Sequence, residues 1–372
     1  MTKSNRYLAL DVLRGITIAG MILVNTPGSW SYVYPPLRHA AWHGCTPTDL
    51  VFPFFLFVMG VSMFFSFTKY GNDLNKKSLV KIGKRSFLIF AIGLFLNSFP
   101  QWQIDFSQLR IMGVLQRIAV VYLISSLIVL SLKKKEVIIV GVSLLLLHWL
   151  AVYVLGGNSP YSLEDNATIP FDSFVLGEAH LYRGFGIPFD PEGLFSSISA
   201  TVTVLIGYGV GVLIKEVEKV KLPSYLLMGG IVFIILGLVW SLVLPLNKPL
   251  WTASYVVYTA GLAMVLLSLL VWLVDIKGYQ RWTTSFVVFG MNPLFIFALS
   301  GLWVKFLVYI ERFSLIDKGV PTATNAYVYL YEQVFVLIAG PMNGSLLFAI
   351  AHVIFFWFIG WVLYRKRIFI KV

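Results

Sequence analysis

The chain has 372 residues, of which 58% are hydrophobic and only 12% charged, and its mean hydropathy is +0.82. A soluble domain carries about 25% charged residues, so this composition excludes a water-soluble fold. The net charge of +12 comes from lysines and arginines that gather in short loops, which favours membrane topology over nucleic-acid binding. With Cys45 as the only cysteine, an intrachain disulfide and a cysteine-built metal site are excluded.

Apolar runs near 20 residues recur along the chain, and each is long enough to cross a hydrocarbon core of about 30 Å. Because the runs are continuous rather than alternating, they predict helices and not a β-barrel. We therefore predict an all-α, polytopic transmembrane helical bundle, treated as one domain over residues 1–372, with 10–11 spans. Ten spans are centred near Ile18, Val58, Ala91, Val121, Leu146, Val204, Ile234, Met264, Phe295 and Phe355.

A further apolar stretch, Ala326–Ala339, is either a partial insertion or a full span. No small-residue cleavage site follows the first run, so we expect an uncleaved first helix rather than a signal peptide. The basic loops lie on one side if both termini are cytoplasmic and the number of crossings is even. They carry Lys3, Arg6, Lys69, Lys76, Lys77, Lys81, Lys84, Arg85, Lys133, Lys134, Lys135, Lys215, Lys219, Lys221, Lys277, Arg281, Arg365, Lys366, Arg367 and Lys371.

The loops on the opposite side differ in composition. The long outer loop, residues 157–192, holds six carboxylates against Arg183 alone, and the first outer loop holds His39 and His43. We therefore expect acidic and histidine chemistry on the outer face of a multi-pass plasma-membrane protein.

Polar residues in the first helix fall on one side of it. Asp11, Arg14 and Asn25 are separated by 3 and 11 residues, which places them within about a quarter of the helix circumference at ~100° per residue. This pattern predicts either an interfacial Asp11–Arg14 pair with an unrelated Asn25, or a polar seam through the membrane.

The fourth span begins with a pair of arginines. Arg110 and Arg117 share a helix face, and Arg117 lies about two turns deeper. A buried arginine needs a carboxylate or an anionic ligand, so the alternatives are pairing with Asp11 or Asp105 and binding of a substrate. Further on, Asp190 before a proline is typical of a helix N-cap. A carboxylate in the first turn also suits the helix dipole, but a helix start explains Glu192 less well than it explains Asp190.

Gly290-Met-Asn-Pro293 lies inside the ninth span. Proline removes a backbone hydrogen bond, so the motif predicts a kink. Broken helices in membranes often line ligand cavities, in which case Asn292 would face one; kinks without ligands are also common.

The segment from His39 to Asp49 carries the strongest chemical signal. Thr46-Pro-Thr-Asp49 reads as a helix start, with Thr46 as the cap and Asp49 returning a hydrogen bond to it. That reading leaves His39 unexplained. A neutral histidine beside a carboxylate suits general-base or nucleophilic catalysis near pH 7, whereas His39 and His43 lack the further ligands of a metal site.

Taken together, these motifs resemble the membrane-bound heparan-α-glucosaminide N-acetyltransferases and their bacterial relatives. The matching pieces occur in family order: Leu10-Asp-Val-Leu-Arg-Gly15, Val24-Asn25, His39-Ala-Ala-Trp-His-Gly44, Thr48-Asp-Leu-Val-Phe-Pro53, Gly113-Val-Leu-Gln-Arg117, His180-Leu-Tyr182, Asp190-Pro-Glu-Gly193, Trp251-Thr-Ala-Ser-Tyr255 and Gly290-Met-Asn292.

The resemblance implies transfer of an acetyl group from cytoplasmic acetyl-CoA to the amine of a glucosamine-type sugar on the outer side of the membrane. It assigns catalysis to His39 and Asp49. It also implies that substrate and CoA contacts come from Asp11, Arg14, Asn25, Arg110, Gln116, Arg117, His180, Asp190, Glu192, Tyr255 and Asn292. On this reading Arg14, Lys84 and Arg85 meet the CoA phosphates, and Asn25 or Asn292 donates to the oxyanion.

Several alternatives stay open from the sequence. His39 acts either as a general base or as a nucleophile that forms acetyl-histidine. The runner-up function is an amino-sugar permease without acyl transfer, and a structural membrane subunit is a third. The extra N-terminal domain and span of the animal enzymes have no counterpart here, which favours a bacterial inner-membrane relative. The acceptor is free glucosamine, an oligosaccharide or another sugar, and a homodimer is plausible.

Overall fold

The computed structural model of the protein describes residues 7–70, 73–99, 105–310, 313–317 and 320–370. Lys3, Arg6 and Lys371, which entered the orientation argument, lie outside the described residues. The helices are α1 (Leu8–Asn25), α2 (Pro47–Tyr70), α3 (Lys76–Ser98), α4 (Val114–Ser131), α5 (Lys134–Leu155), α6 (Thr168–Leu176), α7 (Leu194–Glu216), α8 (Leu222–Trp240), α9 (Ala253–Leu270), α10 (Thr284–Met291), α11 (Pro293–Tyr309), α12 (Ala326–Leu330) and α13 (Leu337–Arg365). Two short antiparallel strands, β1 (Phe313–Asp317) and β2 (Val320–Thr324), form a hairpin between α11 and α12.

The long apolar helices confirm the predicted fold class. Within the described ranges, eight helical segments are long and apolar enough to cross a membrane, and the bent pair α10–α11 makes a ninth. The count is lower than the predicted 10–11 spans: the third predicted span, α3, is not among these nine, because its first turns carry basic residues and only its part from Phe87 onwards is apolar. All ten predicted span centres lie in helices. The protein is a multi-pass helical membrane protein.

The predicted kink in the ninth span is a sharp break. Helices α10 and α11 meet at an angle of 83°, and Asn292 between them has non-helical dihedral angles. Pro293 begins α11, where its missing N–H costs no helical hydrogen bond. Gly290 has a separate role: a Cβ atom there would lie 2.3 Å from the carbonyl oxygen of Asp11. Helix α1 therefore packs directly on the α10 backbone.

The stretch Ala326–Ala339 folds back on the last span. The chain reverses at Gly340, whose φ of +74° is in the left-handed region that favours glycine. As a result the Phe335 and Phe348 rings lie 5.3 Å apart, and the Tyr327 ring lies 4.8 Å from that of Phe348. Fourteen helical residues rise only about 21 Å, less than a hydrocarbon core of about 30 Å. This length favours partial insertion over a full span, and membrane crossing by this stretch stays a prediction.

The two ends of the bundle differ in charge. At one end Lys134 of α5 pairs with Glu216 of α7. Asp275, just after α9, accepts hydrogen bonds from the first N–H groups of α1 at 3.1 and 3.0 Å, and Lys219 lies 3.8 Å from it. The loops predicted to be cytoplasmic thus meet at this end. The start of α2, the start of α4 and the loop between α8 and α9 lie at the opposite end.

The close contact between α2 and α7 predicts that a side chain at Gly207 lowers the stability of the protein. A Cβ atom on Gly207 would lie 2.0 Å from the backbone oxygen of Phe57, so any side chain there must push two spans apart. Overpacking of this kind costs about 3 kcal/mol. We expect Gly207→Val to lower the thermal unfolding midpoint in detergent strongly. Gly209→Ala is the matched control on the same helix, because a Cβ there meets nothing within 4 Å; equal midpoints for the two variants would contradict the packing argument.

Candidate active site

His39 and Asp49 form a hydrogen-bonded pair at the end of the bundle opposite the basic loops. His39 Nδ1 lies 2.6 Å from Asp49 Oδ1. An ionised carboxylate only accepts, so Nδ1 carries the hydrogen, and in the neutral imidazole the lone pair is then on Nε2. The His39 side chain is 43% exposed and that of Asp49 only 2%. The ring is therefore accessible, while the carboxylate that orients it is shielded.

The Asp49 carboxylate also organises the start of α2. Its Oδ2 accepts hydrogen bonds from the backbone N–H groups of Ala40 (3.0 Å) and Thr46 (3.1 Å) and from the Thr46 hydroxyl (3.0 Å). The return bond to Thr46 predicted from the sequence is therefore formed. From α9, the Tyr255 hydroxyl donates to the backbone carbonyl of Asp49 at 2.5 Å. The Asp49 side chain therefore has two functions: it stabilises the start of α2 and it binds the His39 ring.

The pair opens into a cavity of about 470 Å³, within the usual size range of small-ligand sites. Charged, aromatic and small residues from four separate segments line it: His39, Ala40, Ala41, Trp42, Asp49, Arg110, Val114, Tyr182, Phe185, Pro191, Glu192, Lys248, Pro249 and Trp251. The cavity thus joins the first outer loop, the start of α4, the end of the long outer loop and the α8–α9 loop.

Lys248 is a residue of this cavity that the sequence analysis missed. Its Nζ lies 3.5 Å from Asp49 Oδ1 and 3.3 Å from His39 Nδ1. Burial lowers the pKa of the Lys248 amine, and the negative charge of Asp49 acts against that shift. One signal was available: a lysine in a predicted outer loop runs against the positive-inside pattern.

Arg110 is held between two acids on the cavity wall. Its guanidinium binds Asp190 through two hydrogen bonds of 2.9 and 2.8 Å and Glu192 through one of 2.7 Å, and it stacks on the Tyr182 ring at 4.5 Å. Burial would lower the pKa of Arg110, but the hydrogen bonds with Asp190 and the charge of Glu192 hold it above its ordinary value. His180 Nδ1 lies 2.8 Å from the Leu109 carbonyl oxygen, which anchors the segment that carries Arg110.

The expected helix cap at Asp190 is wrong. Asp190 binds Arg110 and the N–H of Glu192, whereas Gly193 is the N-cap of α7. The carboxylate at the first turn of α7 belongs instead to Asp172 of α6, which accepts from Phe195 N at 3.0 Å. Burial raises the pKa of Asp172 to about 6. Asp172, which lies 23 positions before Phe195, therefore takes the place of the cap that was predicted at Asp190.

Arg117 is fully buried behind the cavity and pairs with neither Asp11 nor Asp105. It donates to the Ser196 hydroxyl and, at 3.3 Å, to the Gly193 carbonyl oxygen, and its guanidinium lies 5.0 Å from the centre of the Trp251 ring. Its Nε and Nη1 atoms have no hydrogen-bond partner among the described residues. The cation therefore supports the cavity wall through Trp251.

The other predicted site residues lie away from the cavity. Gln116 points towards α3, against Gly93. At the basic end, Arg14 donates to Asp11 (3.4 Å), to the Gly290 carbonyl oxygen (3.1 Å) and to Ser62 (2.6 Å).

The two asparagines predicted to donate to the oxyanion have different surroundings. Asn292 is fully buried, donates to the Ile368 carbonyl oxygen at 3.0 Å and accepts from Ile370 N at 2.7 Å. It therefore faces the C-terminal segment and not the cavity. Asn25 is exposed at the end of α1 and does not line the cavity.

Comparison with known proteins agrees with the motifs. The family model described as heparan-alpha-glucosaminide N-acetyltransferase, catalytic, matches residues 6–163. The human heparan-alpha-glucosaminide N-acetyltransferase is 29% identical over 352 residues, covering 79% of this chain and 52% of its own length. The mouse protein of that name is 28% identical over 355 residues, covering 80% and 53%. The chain spans about half the length of the curated relatives it matches.

The family match includes the segment that holds the His39–Asp49 pair and both arginines of the fourth span. The two relatives extend the similarity over most of the chain. The chain is therefore similar to the heparan-α-glucosaminide N-acetyltransferases, by the catalytic family model over residues 6–163 and by the two relatives over most of its length.

Proposed function

We propose that this protein transfers the acetyl group of cytoplasmic acetyl-CoA to the amine of a glucosamine-type sugar on the outer side of a bacterial plasma membrane. The observation that carries the proposal is the 2.6 Å His39–Asp49 hydrogen bond in an open cavity. The basic ends of α5 and α7 lie at the opposite end of the bundle, which supports a cytoplasmic donor and an outer acceptor.

In direct transfer the sugar reacts as its free amine, after the bound ammonium has lost one proton to solvent. His39 Nε2 then removes a second proton as the nitrogen lone pair attacks the thioester carbonyl carbon. The C–N bond forms, the C–S bond breaks, and the imidazolium returns its proton to the departing CoA thiolate. Asp49 holds the ring in the tautomer that leaves Nε2 free to accept. The products are the N-acetylated sugar and CoA.

An acetyl-histidine route uses the same atoms in two steps. Nε2 attacks the carbonyl carbon and expels the CoA thiolate, and the sugar amine then attacks the acetyl-imidazole. Both routes need Nε2 unprotonated and directed by Asp49. Trapping of acetyl label on the protein in the absence of sugar distinguishes them.

The cavity wall has the groups that an amino sugar needs. Glu192, whose side chain is 16% exposed, offers a carboxylate to the acceptor ammonium. Trp42, Tyr182 and Phe185 offer ring faces to the apolar side of a pyranose. This combination favours a small cationic sugar over an anionic acceptor.

At the donor end, Arg14 on α1 and the basic first half of α3 supply positive charge for the CoA phosphates. Lys84 is exposed, and the Arg85 guanidinium lies 4.7 Å from the centre of the Tyr122 ring. The thioester would then extend along the bundle towards His39. On α1, the 11 residues from Arg14 to Asn25 correspond to a rise of about 16 Å.

The test is vectorial transfer in sealed vesicles. The protein is reconstituted in a known orientation, with acetyl-labelled acetyl-CoA on the side of the basic loops and glucosamine on the other. We expect labelled N-acetylglucosamine on the glucosamine side. Product confined to the donor side would contradict the transmembrane arrangement, and sugar flux that persists without acetyl-CoA would favour the permease alternative.

A further inference from the structure

We infer that Lys248 is a catalytic residue that donates a hydrogen bond to the oxyanion formed when the thioester carbonyl is attacked. The inference rests on the proposed function and adds to it a residue outside the motifs that carry the family resemblance. It also replaces Asn25 and Asn292 in the role predicted for them from the sequence.

Acyl transfer places a negative charge on the carbonyl oxygen, and a donor prepared for that charge is worth about 10²–10³ in kcat. Asn292 is engaged by Ile368 and Ile370 at the other end of the bundle, and Asn25 does not line the cavity. The donor must therefore come from a residue of the cavity wall near His39.

Lys248 meets that requirement because it lies beside the imidazole without being locked to its neighbours. Its 3.5 Å distance to Asp49 Oδ1 exceeds the 2.7–2.9 Å of a strong charge-assisted hydrogen bond. Nδ1 of His39 already donates to Asp49, so it cannot also accept from the ammonium 3.3 Å away. The ammonium has three N–H donors, and these contacts do not occupy them all.

Three of the other side-chain donors of the wall are already engaged. Trp42 Nε1 donates to the Tyr161 carbonyl oxygen at 2.7 Å, and Trp251 Nε1 donates to Thr203 at 3.1 Å. Arg110 is held by Asp190 and Glu192. In the part of the chain that the structure describes, Lys248 is the cationic side chain that lies within 3.5 Å of both His39 and Asp49.

The loop that carries Lys248 is tied by hydrogen bonds to the loop that carries His39. Buried Asn247 donates to the Trp42 carbonyl oxygen (3.0 Å) and accepts from Leu250 N (2.7 Å), and Gly44 N donates to the Leu246 carbonyl oxygen (2.7 Å). These bonds fix the two loops relative to each other, which is what a preorganised donor needs.

Strain in the same loop supports a functional role. Trp251 has φ +51°, a conformation in which a bulky residue is rare. Its N–H nevertheless donates to the Lys248 carbonyl oxygen at 3.0 Å, closing the turn. Strained backbone of this kind persists only where the surroundings hold it, and it gathers at active sites.

In the proposed step the sugar nitrogen, or His39 Nε2, attacks the carbonyl carbon and the π electrons move to oxygen. The Lys248 ammonium donates a hydrogen bond to that oxygen and keeps its proton. When the carbonyl re-forms, the C–S bond breaks and the CoA thiolate leaves. No proton is gained or lost by the lysine over the cycle.

The test uses purified protein with acetyl-CoA and glucosamine. We expect Lys248→Met to lower kcat by about 10²–10³-fold with the KM for glucosamine changed less than about 3-fold. Lys248→Arg keeps a cationic donor and should recover part of the loss. A kcat within about 3-fold of wild type in Lys248→Met, or a loss confined to KM, would overturn the inference. So would Asn25→Ala reproducing the kcat loss when Lys248→Met does not.

Chemical rescue separates the lost amine from a folding defect. Lys248→Cys, alkylated with bromoethylamine, regains an amine at nearly the same distance, and its kcat should rise again. Burial raises the pKa of Cys45, the only native cysteine, to about 12, so its thiol stays protonated and largely unreactive. Wild type treated in the same way is the control, and a failure of alkylation to restore kcat counts against the inference.

The outcomes also separate this inference from the proposed function. If wild type transfers acetyl groups and Lys248→Met is equally active, only the role of Lys248 falls. If wild type transfers none, the proposed function falls and the inference falls with it.

Discussion

Replacing His39 with alanine is expected to lower acetyl transfer by about 10²–10⁴-fold, the usual contribution of a positioned general base. Among the described residues, no other imidazole lines the cavity. Because the side chain is 43% exposed, its removal costs little packing, so the protein should keep its fold. The measurement is the initial rate of labelled N-acetylglucosamine formation by purified protein at saturating acetyl-CoA.

His43→Gln is the matched control for that experiment. His43 lies four residues further along the same loop, is exposed and does not line the cavity. Its replacement should leave the rate within a few-fold of wild type. Comparable rates for His39→Ala and His43→Gln would remove His39 from the chemistry. In the acetyl-histidine route, label trapped on wild-type protein should also be absent from His39→Ala.

The second large effect is expected for Asp49→Asn, which should lower kcat by about 10³–10⁴-fold. In a Ser-His-Asp triad the same change costs about 10⁴, because the histidine is held in the wrong tautomer. Here the amide oxygen would keep the donors from Ala40 and Thr46, which now bind Oδ2. The NH₂ group would then face His39 Nδ1, forcing Nδ1 to accept and placing the hydrogen on Nε2.

This variant tests the tautomer specifically. The Tyr255 bond to the Asp49 backbone carbonyl is unaffected by the change, so the start of α2 should stay in place and the unfolding midpoint should shift little. The readout is kcat against pH, with thermal unfolding as the folding control. Wild-type kcat in a folded Asp49→Asn protein would show that Asp49 serves only the helix start.

Residues close in sequence were the ones whose contacts could be predicted. The return hydrogen bond from Asp49 to Thr46 follows from a spacing of three at a helix start, and the break at Asn292 follows from the proline after it. Both depend on backbone geometry over one or two turns. Local sequence patterns could not decide between a partial insertion and a full span for Ala326–Ala339, because an apolar run does not reveal that the chain reverses at Gly340.

The sequence by itself determined the apolar spans, the charge difference between the loops and the segment that supplies His39 and Asp49. Each of these depends on composition or on contacts within one turn of chain. Only the tertiary structure decided which distant segments meet. It brings Lys248 to His39 across 209 positions, turns Asn292 towards the C-terminal segment, and gives Arg117 a serine and a tryptophan instead of a carboxylate. Such contacts depend on how the helices pack, because charged and polar groups buried by packing must bind whatever partner the neighbouring helix presents.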